Sequence, residues 1–143
     1  MRWVTRKHTR VNRTATAWLV RRFVDPQAEF VFVEPAEVAR VQRESGAIGF
    51  DAPGARFSND GGVTSFEQIL AAYELVDPVL HELARIVHAA DVAGQEAFAP
   101  EAPGLKLISR GFPLVSRDDH ETVERASFLY DALYAALRER SRG

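Results

Sequence analysis

Four consecutive apolar residues, Phe30-Val31-Phe32-Val33, stand between a polar turn and a proline, and Glu29 leads into them. A run of aromatic and β-branched residues without polar alternation predicts a strand covered on both faces, central in its sheet rather than at the edge. Covering both faces requires helices, and the flanking sequence offers them. Arg2 to Thr5 reads as a short strand, and Asn12 is placed to cap a helix from about Arg13 to Val24 that turns Ala15, Trp18, Leu19 and Phe23 inward. Asp25-Pro26 ends that helix, because the residue before proline resists helical geometry. Glu34-Pro35 opens a second helix to about Glu44, closed by Ser45-Gly46.

Ala47 to Phe50 and Ala55 to Ser58 read as short strands around a Pro53-Gly54 turn, and Asn59 to Gly62 as a tight loop. Thr64 or Ser65 caps a helix to about Tyr73. Asp77-Pro78 starts another to about Asp91, with Leu80, Leu83, Ile86, Val87 and Ala90 buried. Gly94 to Pro103 reads as a surface loop, a helix lies near Leu105 to Ser109, and a last one spans Asp119 to about Arg140. The expected fold is α/β, a helix-rich α+β arrangement in which a three- to four-stranded sheet is covered by about six helices. With 143 residues, 46% of them hydrophobic, the chain suffices for a single domain over 1–143 with its own core.

Zero cysteines exclude disulfides, iron–sulfur clusters, thiolate zinc sites and thiol catalysis, so any metal must use histidine and carboxylate. There is no GxGxxG, no phosphate-binding P-loop and no GxSxG elbow. His81-Glu82 begins like a zinc-binding HExxH helix, but Arg85 occupies the second histidine position. Charged residues interrupt the N-terminus where a secretory signal would need its apolar segment, which gives the expectation of a cytoplasmic protein without membrane association.

The formal net charge of -2 conceals an asymmetry: Arg2, Arg6, Lys7, Arg10, Arg13, Arg21 and Arg22 all precede the first acidic residue, Asp25. Arg6, Lys7, His8, Arg10 and Arg13 cluster where the first helix begins. Free backbone N–H groups there, with the guanidinium groups of Arg6, Arg10 and Arg13 and the Lys7 ammonium around them, make a site for a small oxyanion. The alternatives are that the block meets a nucleic-acid backbone or pairs with the acidic middle of its own fold. Two helical groups form a second constellation. His120 and Glu124 are an i, i+4 pair on a stripe that continues through Ser127, Asp131 and Tyr134, and His88 and Asp91 are an i, i+3 pair on the earlier helix. If those helices pack, the four side chains would face each other and suit iron, haem or another divalent metal, with Asp118, Asp119, Asp131 or Tyr134 orienting the ligands. The alternative reading makes these residues caps and solvated surface.

Trp3-Val4-Thr5-Arg6, Asn12-Arg13 and the run Trp18 to Pro26 resemble the start of the C-terminal domain of the chromate-resistance regulator family, ChrB. The likeness continues in order through Phe50-Asp51-Ala52-Pro53-Gly54, Phe57-Ser58, Ser65-Phe66, Ala90-Asp91, Gly104-Leu105, Asp118-Asp119-His120 and Tyr130-Asp131-Ala132-Leu133-Tyr134. In that family the domain usually follows a winged-helix DNA-binding domain in a chromate-responsive regulator. The resemblance therefore implies a stand-alone form that binds an oxyanion or metal centre, between the first, fifth and last helices, without specific DNA binding of its own. Asn12 and Asn59 replace an aspartate and a histidine of the family pattern, and His88 stands where a small or basic residue is expected. The competing expectation is a metal- or haem-dependent enzyme using His88 or His120, and homodimerisation stays open.

Overall fold

The computed structural model describes residues 1–58 and 60–143. Three strands, β1 (Arg2–Arg6), β2 (Glu29–Val33) and β3 (Ile48–Gly49), form a parallel sheet in the order β2-β1-β3. Helices α1 (Val11–Leu19), α2 (Val38–Ser45), α3 (Ser65–Ala72), α4 (Pro78–Asp91), α5 (Ala102–Val115) and α6 (Asp119–Arg142) surround it. This is the helix-rich α/β class expected from the sequence.

Two corrections concern the sheet. The apolar run of β2 lies at an edge, with only Phe30 fully buried, and the central strand is β1, whose Trp3, Val4 and Thr5 are all inaccessible. The short basic β1 takes the centre because the first crossover sets β2 on one side of it and the second, leaving β2, passes β1 to set β3 on the other. The segment Ala55 to Ser58 makes no strand and contributes one bridge, between Phe57 and Phe50.

Side chains alternate across the sheet with period two. Trp3 and Phe30 enter the main core with α1, α3, α4 and α6, whereas Val4 enters a smaller core with Val38, Ala47, Ala52 and Ala55, against which Val31 and Val33 pack. The crossovers β1-α1-β2 and β2-α2-β3 thus lie on opposite faces and run to opposite sides of β1. In an open parallel sheet such a reversal opens a crevice beyond the carboxyl ends of the strands.

Asn12 is not the cap expected of it. The N-cap of α1 is Arg10 without a side-chain hydrogen bond, and Asn12 lies inside the first turn, buried, accepting from the Thr16 hydroxyl at 3.2 Å. After Leu19 the helix widens into a π-helical turn over Val20–Val24, closed by the Asp25 N–H on the Val20 carbonyl at 2.7 Å. That widening leaves Phe23 half-exposed against Trp18 and Tyr134 instead of in the core. Thr64 caps α3 in a reciprocal capping box with Glu67, and Asp77 caps α4, as the sequence predicts. The segment read as a surface loop from Gly94 buries Ala99 and Ala102 and already starts α5, because small residues fit against α4 where a longer side chain would not.

Candidate functional site

At the carboxyl ends of β1 and β2 lies an open cleft of about 580 Å³. Arg6 and Lys7 reach it from the end of β1, Glu34 and Pro35 from the end of β2, and Arg10, Val11 and Arg13 from the start of α1. Ala90 and Asp91 come from the end of α4, and Lys106, Ser109 and Arg110 from α5. Among the described residues six cationic side chains line it against two carboxylates. The start of α1 has no side-chain cap and no acidic residue in its first turn, so its N–H groups leave partial positive charge at the cleft. The four N-terminal residues singled out from the sequence, Arg6, Lys7, Arg10 and Arg13, are thus brought to one place, together with Asp91.

Asp51 organises two of them. It follows β3 with a positive φ of 49°, a conformation an aspartate tolerates better than most residues, and its side chain is 2% exposed. Its Oδ2 accepts from Arg13 Nη1 at 2.9 Å, its Oδ1 is 3.5 Å from Arg6 Nη2, and its backbone carbonyl accepts from Arg6 Nε at 2.8 Å. Arg13 Nη2 also donates to the His8 carbonyl at 2.6 Å. Burial lowers the Arg13 guanidinium from its ordinary value, and the Asp51 carboxylate opposes that shift. Lys7 pairs with Glu34 at 3.3 Å and Lys106 with Glu96. His8, itself at a positive φ of 64°, is fixed from outside: the N–H groups of His8 and Thr9 donate to the Asp119 carboxylate at 3.1 and 2.9 Å.

Behind Val11 and Ser109 of the lining lies a buried polar group. Tyr130 is fully buried, with its hydroxyl 2.8 Å from Thr14 Oγ1 and donating to the Val11 carbonyl at 3.2 Å. Beside it the Ser109 hydroxyl, 1% exposed, has no hydrogen-bond partner of good geometry among the described residues, and neither has Arg13 Nε. Burial pushes the Tyr130 phenol well above its ordinary range.

The two helical pairs are not gathered as the metal reading requires, although α4 and α6 do pack. His88 turns to α3, where its Nδ1 is 2.8 Å from Glu67 Oε1, at a separate depression lined by Leu70, Ala84 and Arg85. His120 lies edge-on to Phe32, with ring centroids 4.9 Å apart, and Glu124 accepts from Arg21 at 2.6 Å. The expected orienting residues are engaged elsewhere. Asp118 caps α6 by accepting from the Glu121 N–H, Asp119 holds the His8 loop, Asp131 accepts from Trp18 Nε1 and Arg22, and Tyr134 donates to Asp77. Each carboxylate takes the nearest strong donor, and arginines of the first helical segment reach the α6 carboxylates before any histidine does. Among the described residues no three histidine, aspartate or glutamate side chains converge on a metal position. Asn59, the other departure from the family pattern, lies outside the described residues.

Sequence reasoning missed Asp51, Lys106 and Arg110 as partners of this cleft, whereas His8 stands in the N-terminal cluster as the sequence placed it. Only Asp51 carried a signal, as the second residue of the Phe50-Asp51-Ala52-Pro53-Gly54 run.

A doubly crossed parallel sheet with a basic cleft at its carboxyl edge defines a small helix-rich α/β domain. The chain belongs to the family of the ChrB C-terminal domain, whose model matches residues 3–137. It is 36% identical over 133 residues to Protein ChrB of Cupriavidus metallidurans, an alignment covering 92% of this chain and 39% of that protein, so the chain spans about two fifths of that relative's length. No solved structure matches it significantly.

Proposed function

We propose that this domain binds a small tetrahedral oxyanion in the cleft between β1, α1 and α5, and that, as its resemblance to chromate-resistance regulators implies, chromate is the relevant member of that class. One observation carries the reading: among the described residues, six cationic side chains and an uncapped helix start share one crevice with two carboxylates. Asp51 and the His8 carbonyl hold Arg13 in place before any ligand arrives, which reduces the ordering cost of binding. Arg10 and Arg110, also in the lining, supply positive charge beyond the arginines that Asp51 holds. The domain acts as a ligand receptor, and reading of DNA belongs to other parts of the regulators it resembles.

The test is thermal unfolding of the purified chain over a series of chromate, phosphate and sulfate concentrations. Binding to the folded state raises the melting temperature with the logarithm of anion concentration once the site fills. Arg10→Ala together with Arg110→Ala should remove that response. A flat melting temperature with all three anions, or an unchanged response in the double variant, overturns the reading.

A further inference from the structure

Helix α5 is apolar on two sides. Inward it sets Ala102 and Leu105 in the core with Phe112 packed against them, and outward it carries Leu107, Ile108, Leu114 and Val115, which are 50 to 84% exposed. Leu107 with Leu114, and Ile108 with Val115, recur after two helical turns, so each pair shares one side of the helix. A helix that is hydrophobic all round is one that is covered all round. Beside it α6 turns out Phe128, 79% exposed, and a groove of about 380 Å³ runs between the two helices, open at Gly111 and walled by Ile108, Phe112, Val115 and Leu129. Among the described residues ten large apolar side chains are exposed, and these five belong to this one helical pair. Together they leave on the order of 500 Å² of apolar surface, the scale at which a patch marks an interface and more than half of the about 800 Å² that each partner gives to a standard one.

The outward stripe of α6 says what covers it. At alternating intervals of three and four it reads Arg125, Phe128, Ala132, Ala135 and Glu139, all exposed, with Ala136 exposed beside them. A large residue, small residues and ends of opposite charge fit a second copy in one direction only. A parallel copy would set Phe128 on Phe128 and arginine on arginine. An antiparallel copy, related by a twofold axis at Ala132, sets Phe128 on the partner's Ala136 and Arg125 on the partner's Glu139, each contact being made twice. Arg125 donates through Nη1 to the Val115 carbonyl at 2.5 Å and lies 3.7 Å from Glu121; its guanidinium, 57% exposed, has further donors for the rim of such an interface. We propose that two copies of this chain associate through the outward face of α5 and α6, antiparallel about Ala132, with Phe128 as the anchor on each side.

The experiment is sedimentation velocity of the full chain over a concentration series. The unaltered chain should pass from monomer to dimer as concentration rises. Phe128→Glu should raise the dissociation constant about thirtyfold or more, the scale for an aromatic anchor, while far-ultraviolet circular dichroism stays that of the unaltered chain. If Phe128→Glu fails to fold, Ala136→Arg, which fills the place that receives Phe128, takes its part and should have the same effect. Arg125→Glu and Glu139→Arg should each weaken association about fivefold, and the two together should restore it. A chain that stays monomeric to its highest soluble concentration overturns the proposal and leaves the face to a different protein. A dimer that survives Phe128→Glu or Ala136→Arg overturns this face as its interface. A dimer that those variants disrupt but that the double charge reversal fails to restore overturns the antiparallel pairing about Ala132.

Discussion

Arg13 Nη1 donates to Asp51 Oδ2 at 2.9 Å across side chains that are 11% and 2% exposed, and this pair ties the first turn of α1 to the end of β3. A buried charge pair adds little net stability over an apolar substitute, yet removal of one partner strands the other. Asp51→Asn keeps a residue that tolerates the positive φ and deletes only the charge. It should cost about 3 kcal/mol in chemical denaturation. A denaturation midpoint unchanged from wild type would show that Asp51 is not the organiser of the arginines.

Arg10 and Arg13 should separate binding from folding. Arg10 is exposed, so Arg10→Ala should weaken the response of the melting temperature to chromate or sulfate and leave the anion-free unfolding free energy within about 0.5 kcal/mol of wild type. Arg13→Ala should lose both the response and folded stability. Equal loss of stability in the two variants contradicts this division.

The Glu67 and His88 pair gives the acid limb of stability a definite sign. Burial raises the Glu67 carboxyl, but hydrogen bonds from His88 and from the Thr64 N–H and hydroxyl outweigh it and hold the group below its ordinary value of 4.5. A depressed folded pKa contributes stability above the unfolded value, which disappears as pH falls through the folded one. The difference in unfolding free energy between wild type and Glu67→Gln should therefore be largest above pH 4.5 and close below it. Glu67 is a third exposed, so the difference should stay within about 1 kcal/mol. A gap that stays constant from neutral to acid pH refutes the assignment.

Tyr130 joins α6 to α1 through its hydroxyl. Tyr130→Phe keeps the ring in the core and removes the donor to the Val11 carbonyl and the partner of Thr14, which should cost about 1 to 2 kcal/mol, read by denaturant unfolding. The variant should also bind oxyanion more weakly, because Val11 begins the helix turn at the cleft.

Duplex DNA should show no sequence-selective association with this chain at moderate salt. The cationic surface is a cleft partly neutralised by Asp51, Glu34 and Glu96 instead of a continuous basic face. A mobility-shift titration with competitor DNA checks it, and a complex that resists competitor would contradict it.

Much of the local structure was written in short-range signals. Thr64 with Glu67, Asp77 with Pro78, and Gly46 with its left-handed conformation mark helix ends because caps and turns are satisfied within a few residues. Helical period along α6 sets Val123, Ala126, Tyr130, Leu133 and Leu137 on one face, and all but the partly buried Leu133 are buried there. The clustering of Arg6, Lys7, Arg10 and Arg13 was legible because all four lie within eight residues of one helix start. What the sequence could not decide is which strand is central and which carboxylate each cation meets. β2 is the more apolar strand, yet β1 holds the middle because the two crossovers set β2 and β3 on either side of it, a property of chain topology that composition does not carry. Likewise Asp131 and Glu124 stood in a helical stripe beside His120, but arginines from the π-helical turn more than a hundred residues earlier reached them first. Ionic partners are settled by whichever strong donor the packed backbone brings within reach, and that distance exists only in the folded chain.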